Sequence, residues 1–217
     1  MSFRDKLSVL THPSFAVPTP TALVGKKVAP IFQEIGGKPM PESLDIIAKI
    51  DSDPSYGPTS LFKPMSGRKD IKDWQAKAKE VNSALQRPRY MMSILPEFQQ
   101  KDGKDAFVKN HPIPPYAKDE WKTTLSLEDK WSKYADSYSA GLDSVKDSSN
   151  LLKELDGLLY STEFCTEGGL SLDDIDLWSR LRSLTIVKGI EWPEKLRTYM
   201  DYFSLVGDVP LYDSMAC

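Results

Sequence analysis

Residues 169–190, GLSLDDIDLWSRLRSLTIVKGI, constrain the fold more than any other stretch. Ser171 stands at a helix N-cap with Asp174 three residues on, a variant of the capping box, and Leu170 and Ile175 occupy the flanking staple positions. The helix that follows is apolar over most of its face, through Leu177, Trp178, Leu181, Leu184, Ile186 and Val187. So apolar a helix needs neighbours on most sides, which places it at the centre of a helical bundle. Gly189 is the expected C′ stop.

The neighbours are legible too. Ile71, Trp74, Ala78, Val81 and Leu85 recur at helical spacing and predict a helix ending before Pro88. Between Lys118 and Tyr160, Trp121, Leu125, Trp131, Tyr134, Tyr138, Leu142, Val145 and Leu152 predict long amphipathic helices. Trp74, Trp121, Trp131 and Trp178 sit at core spacing and read as packing residues. Before residue 65 the character changes. KVAPIFQEI, 27–35, reads as a short strand in which Pro30 requires an edge, a bulge or a cis bond. GGK is a turn, and a helix over 43–51 would turn Leu44, Ile47 and Ala48 inward. Residues 51–67 read as a linker. The expectation is a small α/β domain over 1–65 and an all-helical domain over 66–217.

Several function classes are disfavoured. The net charge of −3 and the lack of a long basic run argue against nucleic acid. No apolar run approaches the roughly 18 residues of a membrane span, and the N-terminus lacks a secretory h-region. Cys165 and Cys217 are the two cysteines of the sequence and form neither a CxxC pair nor a disulfide framework, which fits a reducing, cytoplasmic location. His12 and His111 stand apart from any cysteine cluster, so no metal site is expected. In GKPMPESLDII, 37–47, a carboxylate and a hydroxyl precede an apolar helix. A helix N-terminus with free N–H groups is an anion site, although Ser43 read alone is more simply an ordinary cap.

TPTALVGKKVAPIF, KPMPESLDII, GLSLDDIDLWSRLRSLTIVKGIEWP and the terminal SMA occur in the order and spacing of the type-2 glutaredoxins, and the sequence resembles that family from about Pro18 to Ala216, more loosely over 95–165. The resemblance implies a thioredoxin-like domain followed by a helical domain of the glutathione S-transferase type. It implies glutathione as ligand or co-substrate, with glutathionylated or disulfide-containing proteins as partners. In such folds a Val-cis-Pro pair offers its main chain to the cysteinyl part of glutathione, and here that pair is Ala29-Pro30. A Glu-Ser pair at the next helix start takes the γ-glutamyl end, and here it is Glu42-Ser43. Ser43 would hold the α-carboxylate and Glu42 the ammonium.

One departure is large. The family opens with a strand, Cys-Pro-Tyr-Cys, a helix and a second strand, and this sequence contains no Cys-Pro-x-Cys. KLSVLTHPSF, 6–15, resembles the first strand and turn, but a helix and strand need roughly 20 residues beyond what AVPTP supplies. The thioredoxin-like domain is therefore expected to be shortened. Thiol–disulfide exchange needs a low-pKa thiolate at a helix N-terminus, and neither cysteine is so placed: Cys165 reads as a loop thiol and Cys217 as a mobile last residue. The expectation is a redox-impaired, glutathione-binding member of the family. The alternatives are a non-catalytic glutathione- or protein-binding module, and a transferase in which Ser14 activates glutathione.

Overall fold

The computed structural model describes residues 18–26, 28–93, 95–140 and 142–217. The expectations placed on His12, Ser14 and residues 6–15 fall outside these. The chain divides into two compact units, the first ending at Pro64 and the second spanning Met65–Cys217.

The first unit contains α1 (Pro18–Val24), β1 (Ile31–Phe32), β2 (Met40–Pro41) and α2 (Ser43–Ser52). The strand expected over 27–35 contracts to Ile31 and Phe32, paired antiparallel with β2 in the register Ile31↔Pro41 and Phe32↔Met40. The bond between Ala29 and Pro30 is cis. Helix α2 lies where its apolar spacing predicts, but its inward face is rotated: Ile46 is buried, Leu44, Ile47 and Ile50 are half-buried, and Ala48 is exposed. Part of the linker beyond α2 is held by the Asp51 side chain. Asp51 accepts from the main-chain N–H of Leu61 at 2.8 Å and of Phe62 at 3.4 Å.

The second unit consists of α3 (Lys69–Met92), α4 (Lys101–Asn110), α5 (Lys118–Thr124), α6 (Leu127–Tyr138), α7 (Leu142–Leu158), α8 (Leu172–Arg182) and α9 (Glu194–Val206), with short 3₁₀ turns between them. α3 packs on α6 and α7, and α9 packs on α7 and α8. Helix α3 does not end before Pro88 but runs on to Met92 with Pro88 buried inside it. A mid-helix proline strands the carbonyl four residues back. Here that carbonyl, of Ala84, accepts instead from the Ser137 hydroxyl of α6 at 2.9 Å.

Helix α8 and the turn after it bury their apolar side chains in the core, although α3 has the more extensive packing partners. Leu177, Leu181, Leu184 and Ile186 are at most 1% exposed, in one cluster with Leu152, Leu155, Leu196, Tyr199 and Met200. It ends earlier than Gly189 suggests, at Arg182, and tightens into a 3₁₀ turn over Ser183–Ile186. The Ser183 and Thr185 hydroxyls bond back to the carbonyls of Arg180 (3.1 Å) and Arg182 (2.7 Å), competing with the helical ladder. Gly189, at φ 89°, therefore lies beyond the turn and is not the helix stop.

The N-terminus of α8 carries the capping box with its roles shifted to the carboxylate. Buried Asp174 accepts from the Ser171 N–H (2.9 Å), the Ser171 hydroxyl (2.8 Å), the Cys165 N–H (2.7 Å) and the Tyr199 hydroxyl (3.3 Å). One carboxylate thus ties the 160s loop, α8 and α9 together. The tryptophans are packing residues. Trp74 donates its indole N–H to Leu151 O (2.7 Å), Trp121 to Val108 O (2.8 Å), Trp131 to Asp105 Oδ1 (2.8 Å) and Trp178 to Met200 O (3.1 Å). Each joins two helices through a ring that fills space and a donor that is satisfied.

Candidate functional site

The cis Ala29-Pro30 bond delivers the chain into β1, and β2 delivers it into α2. The ladder ends at the pair Ile31↔Pro41. Ala29-Pro30 enters β1 and Glu42-Ser43 leaves β2 at that same end of the ladder. Glu42 is the N-cap of α2, at φ 75° and ψ 109°, with no side-chain capping bond. A non-glycine residue with positive φ costs on the order of 1–3 kcal/mol and persists where the surroundings hold it. The first helical bond runs from the Ile46 N–H to Glu42 O at 3.0 Å, which leaves the N–H groups of Ser43, Leu44 and Asp45 without helical acceptors. Ser43 is the first residue of the helix, not its cap, and is exposed. The arrangement presents a hydroxyl, free N–H groups and a carboxylate on one surface, the chemistry needed for a zwitterion.

Glu42 is not alone there. The Lys26 ammonium approaches its Oε1 at 2.6 Å, with both side chains 56% exposed. This contact has no signal in the sequence, because it joins residues sixteen apart through the turn after α1.

The cysteines lie apart from such chemistry. Cys165 is fully buried in the helical unit. Burial, and then the nearby Asp174 carboxylate, push its thiol far above the ordinary range. Cys217 is not mobile as its terminal position suggests. Its N–H donates to Ile186 O at 3.0 Å, and its carbonyl accepts from the Lys188 N–H at 3.2 Å and the Arg89 guanidinium at 2.9 Å. Among the described residues no cluster of His, Cys, Asp or Glu is arranged to hold a metal ion, and no helix is long and apolar enough to cross a membrane.

Residues 70–216 match the family model described as glutaredoxin 2, C terminal domain. The chain belongs to the glutaredoxin 2 family. It is 32% identical over 203 residues to the glutaredoxin 2 proteins of Escherichia coli strain K12 and of Escherichia coli O157:H7, an alignment covering 91% of this chain and 82% of each relative. Its fold is similar to the crystal structure of Salmonella typhimurium glutaredoxin 2 in complex with glutathione. The TM-score is 0.69 at 28% identity, covering 93% of this chain and 83% of that one. A small α/β unit followed by an all-helical unit is thus the glutaredoxin 2 architecture. The family model spans nearly all of α3 to α9, including the Asp174 carboxylate that organises the start of α8.

Proposed function

We propose that this chain recognises glutathione on its first unit and does not reduce disulfides with the cysteines of this sequence. The main chain at Ala29-Pro30 meets the cysteinyl part of the ligand. The Ser43 N–H and hydroxyl take the γ-glutamyl α-carboxylate, and Glu42 takes the ammonium. The reading is supported by the β1–β2 pairing, at whose one end Ala29-Pro30 enters β1 and Glu42-Ser43 leaves β2, in a chain whose fold matches a glutaredoxin 2 solved with glutathione. In this reading residues 1–65 belong to a thioredoxin-like domain and 66–217 form the helical domain. The protein works in the reducing cytoplasm, where glutathionylated or disulfide-containing proteins are its candidate partners. Impaired redox chemistry is supported by the lack of Cys-Pro-x-Cys in the sequence and by the burial of Cys165. A nucleophilic cysteine needs its thiolate at neutral pH.

Calorimetry together with turnover of a glutathione mixed disulfide tests both halves. Glutathione should bind the wild type, and Glu42→Ala should weaken binding by roughly two- to fivefold, the worth of an exposed ion pair. No turnover should be seen in the wild type or in the Cys165→Ser/Cys217→Ser double variant. Turnover abolished by the double variant would show that one of these thiols has been recruited. Binding indifferent to Glu42→Ala would remove the site.

A further inference from the structure

The Lys26–Glu42 contact bears directly on what the α2 mouth selects. Lys26 follows Gly25, which ends the turn after α1 at φ 75°. Its ammonium sits 2.6 Å from Glu42 Oε1. Among the described residues Glu42 Oε2 receives no donor, while the helix N-terminus next to it offers the N–H groups of Ser43, Leu44 and Asp45. A zwitterionic ligand end would bring a second ammonium to a carboxylate that already holds one. Two like charges sharing one carboxylate repel each other, whereas the ligand's carboxylate meets two sources of positive potential, the helix end and Lys26.

We propose that Lys26 is a specificity-determining residue of this surface: by half-neutralising Glu42, it makes the site select for the ligand's carboxylates and discount its α-ammonium. The proposal rests on the reading that glutathione binds at Ala29-Pro30 and Glu42-Ser43. Lys26 and the ligand ammonium are then antagonists for one acceptor, and removing either strengthens the other's hold. Because the pair is half exposed, the effect is modest and falls with added salt.

The test is a cycle across protein and ligand. Calorimetry at low ionic strength compares S-methylglutathione with the same molecule lacking its α-amino group, on the wild type and on Lys26→Gln. The preference for the amino-bearing ligand should rise roughly two- to fivefold in Lys26→Gln, in line with an exposed ion pair. High salt should shrink the rise. Adding Glu42→Gln should erase the gain. A preference that stays constant or falls in Lys26→Gln, with both ligands binding, overturns the role of Lys26 and leaves the site intact. A rise that persists when Glu42 is also changed overturns the competition as its cause. Failure of both ligands to bind either protein defeats the underlying glutathione reading instead.

Discussion

In the helical unit Trp121, Tyr134, Tyr199, Leu177 and Leu184 are wholly enclosed, and buried Ser171, Asp173 and Asp174 are hydrogen-bonded, while the Ser93 hydroxyl is buried without a partner among the described residues. In the first unit, among the described residues, Ile46 is the buried hydrophobic side chain, and Ile35 stands fully in solvent. What orders that unit is mostly polar and near the surface. Asp51 holds the 60s loop, Glu34 receives Lys49 and the Tyr56 hydroxyl, and Glu42 receives Lys26. Lys49, with Tyr56, holds the Glu34 carboxyl below its usual range, yet this group lies at the surface and its tie is weak. The contrast separates two tasks. The helical unit supplies stability through burial, where each enclosed side chain contributes on the order of 1.5–3 kcal/mol. The first unit presents main-chain and polar groups whose arrangement rests on small, separable contacts, the usual condition of a binding surface.

The comparison is broken most severely at Asp174. In Asp174→Ala the buried N–H groups of Cys165 and Ser171 lose their acceptor, and each stranded donor costs about 1–3 kcal/mol. The expected outcome is a loss on the order of 3–5 kcal/mol in chemical denaturation. Thiol labelling sharpens the same point. In the wild type at pH 8 Cys165 should resist iodoacetamide, because burial and the Asp174 charge keep its thiol protonated. It should become reactive in Asp174→Ala as the loop opens. Rapid labelling of Cys165 in the folded wild type would contradict its enclosure.

A smaller effect is expected at Ser171, whose N–H and hydroxyl both reach Asp174. Ser171→Ala keeps the N–H bond and should cost about 0.5–2 kcal/mol, read as a lowered thermal midpoint with no change in the exchange of first-unit amides. The smallest effect belongs to the first unit. Asp51→Ala should leave the global midpoint within about 1 kcal/mol of the wild type while speeding hydrogen exchange at Leu61 and Phe62. Without substitution, amides of α7 and α8 should already exchange far more slowly than those of β1 and β2. Uniform protection across both units would erase the contrast.

Much of the helical unit was legible in the sequence because its signal is local and repeated. Ile71, Trp74, Ala78 and Leu85 mark one face of α3, and Ser171 with Asp174 marks the start of α8. The failures at Pro88 and Gly189 share a cause. In each place a distant or neighbouring hydroxyl, Ser137 for α3 and Ser183 with Thr185 for the end of α8, settles the helix end against the local rule. Cys217 was misjudged for the same reason, since Arg89, its partner, lies far away in sequence. In the first unit the residues 29, 30, 42 and 43 were legible as motifs. The ladder between them is two residues long, too short to show any alternation, and Lys26 beside Glu42 carries no pattern at all.

The claim that glutathione is recognised at the start of α2 is tested most directly by following amide resonances of ¹⁵N-labelled protein during titration with S-methylglutathione, in the wild type and in Glu42→Ala. The account predicts saturable shifts concentrated at Ser43, Leu44 and Ile31 in the wild type, with a midpoint moved to roughly two- to fivefold higher ligand in the variant. Shifts that leave Ser43 and Leu44 untouched, or that saturate at the same concentration in both proteins, would contradict it.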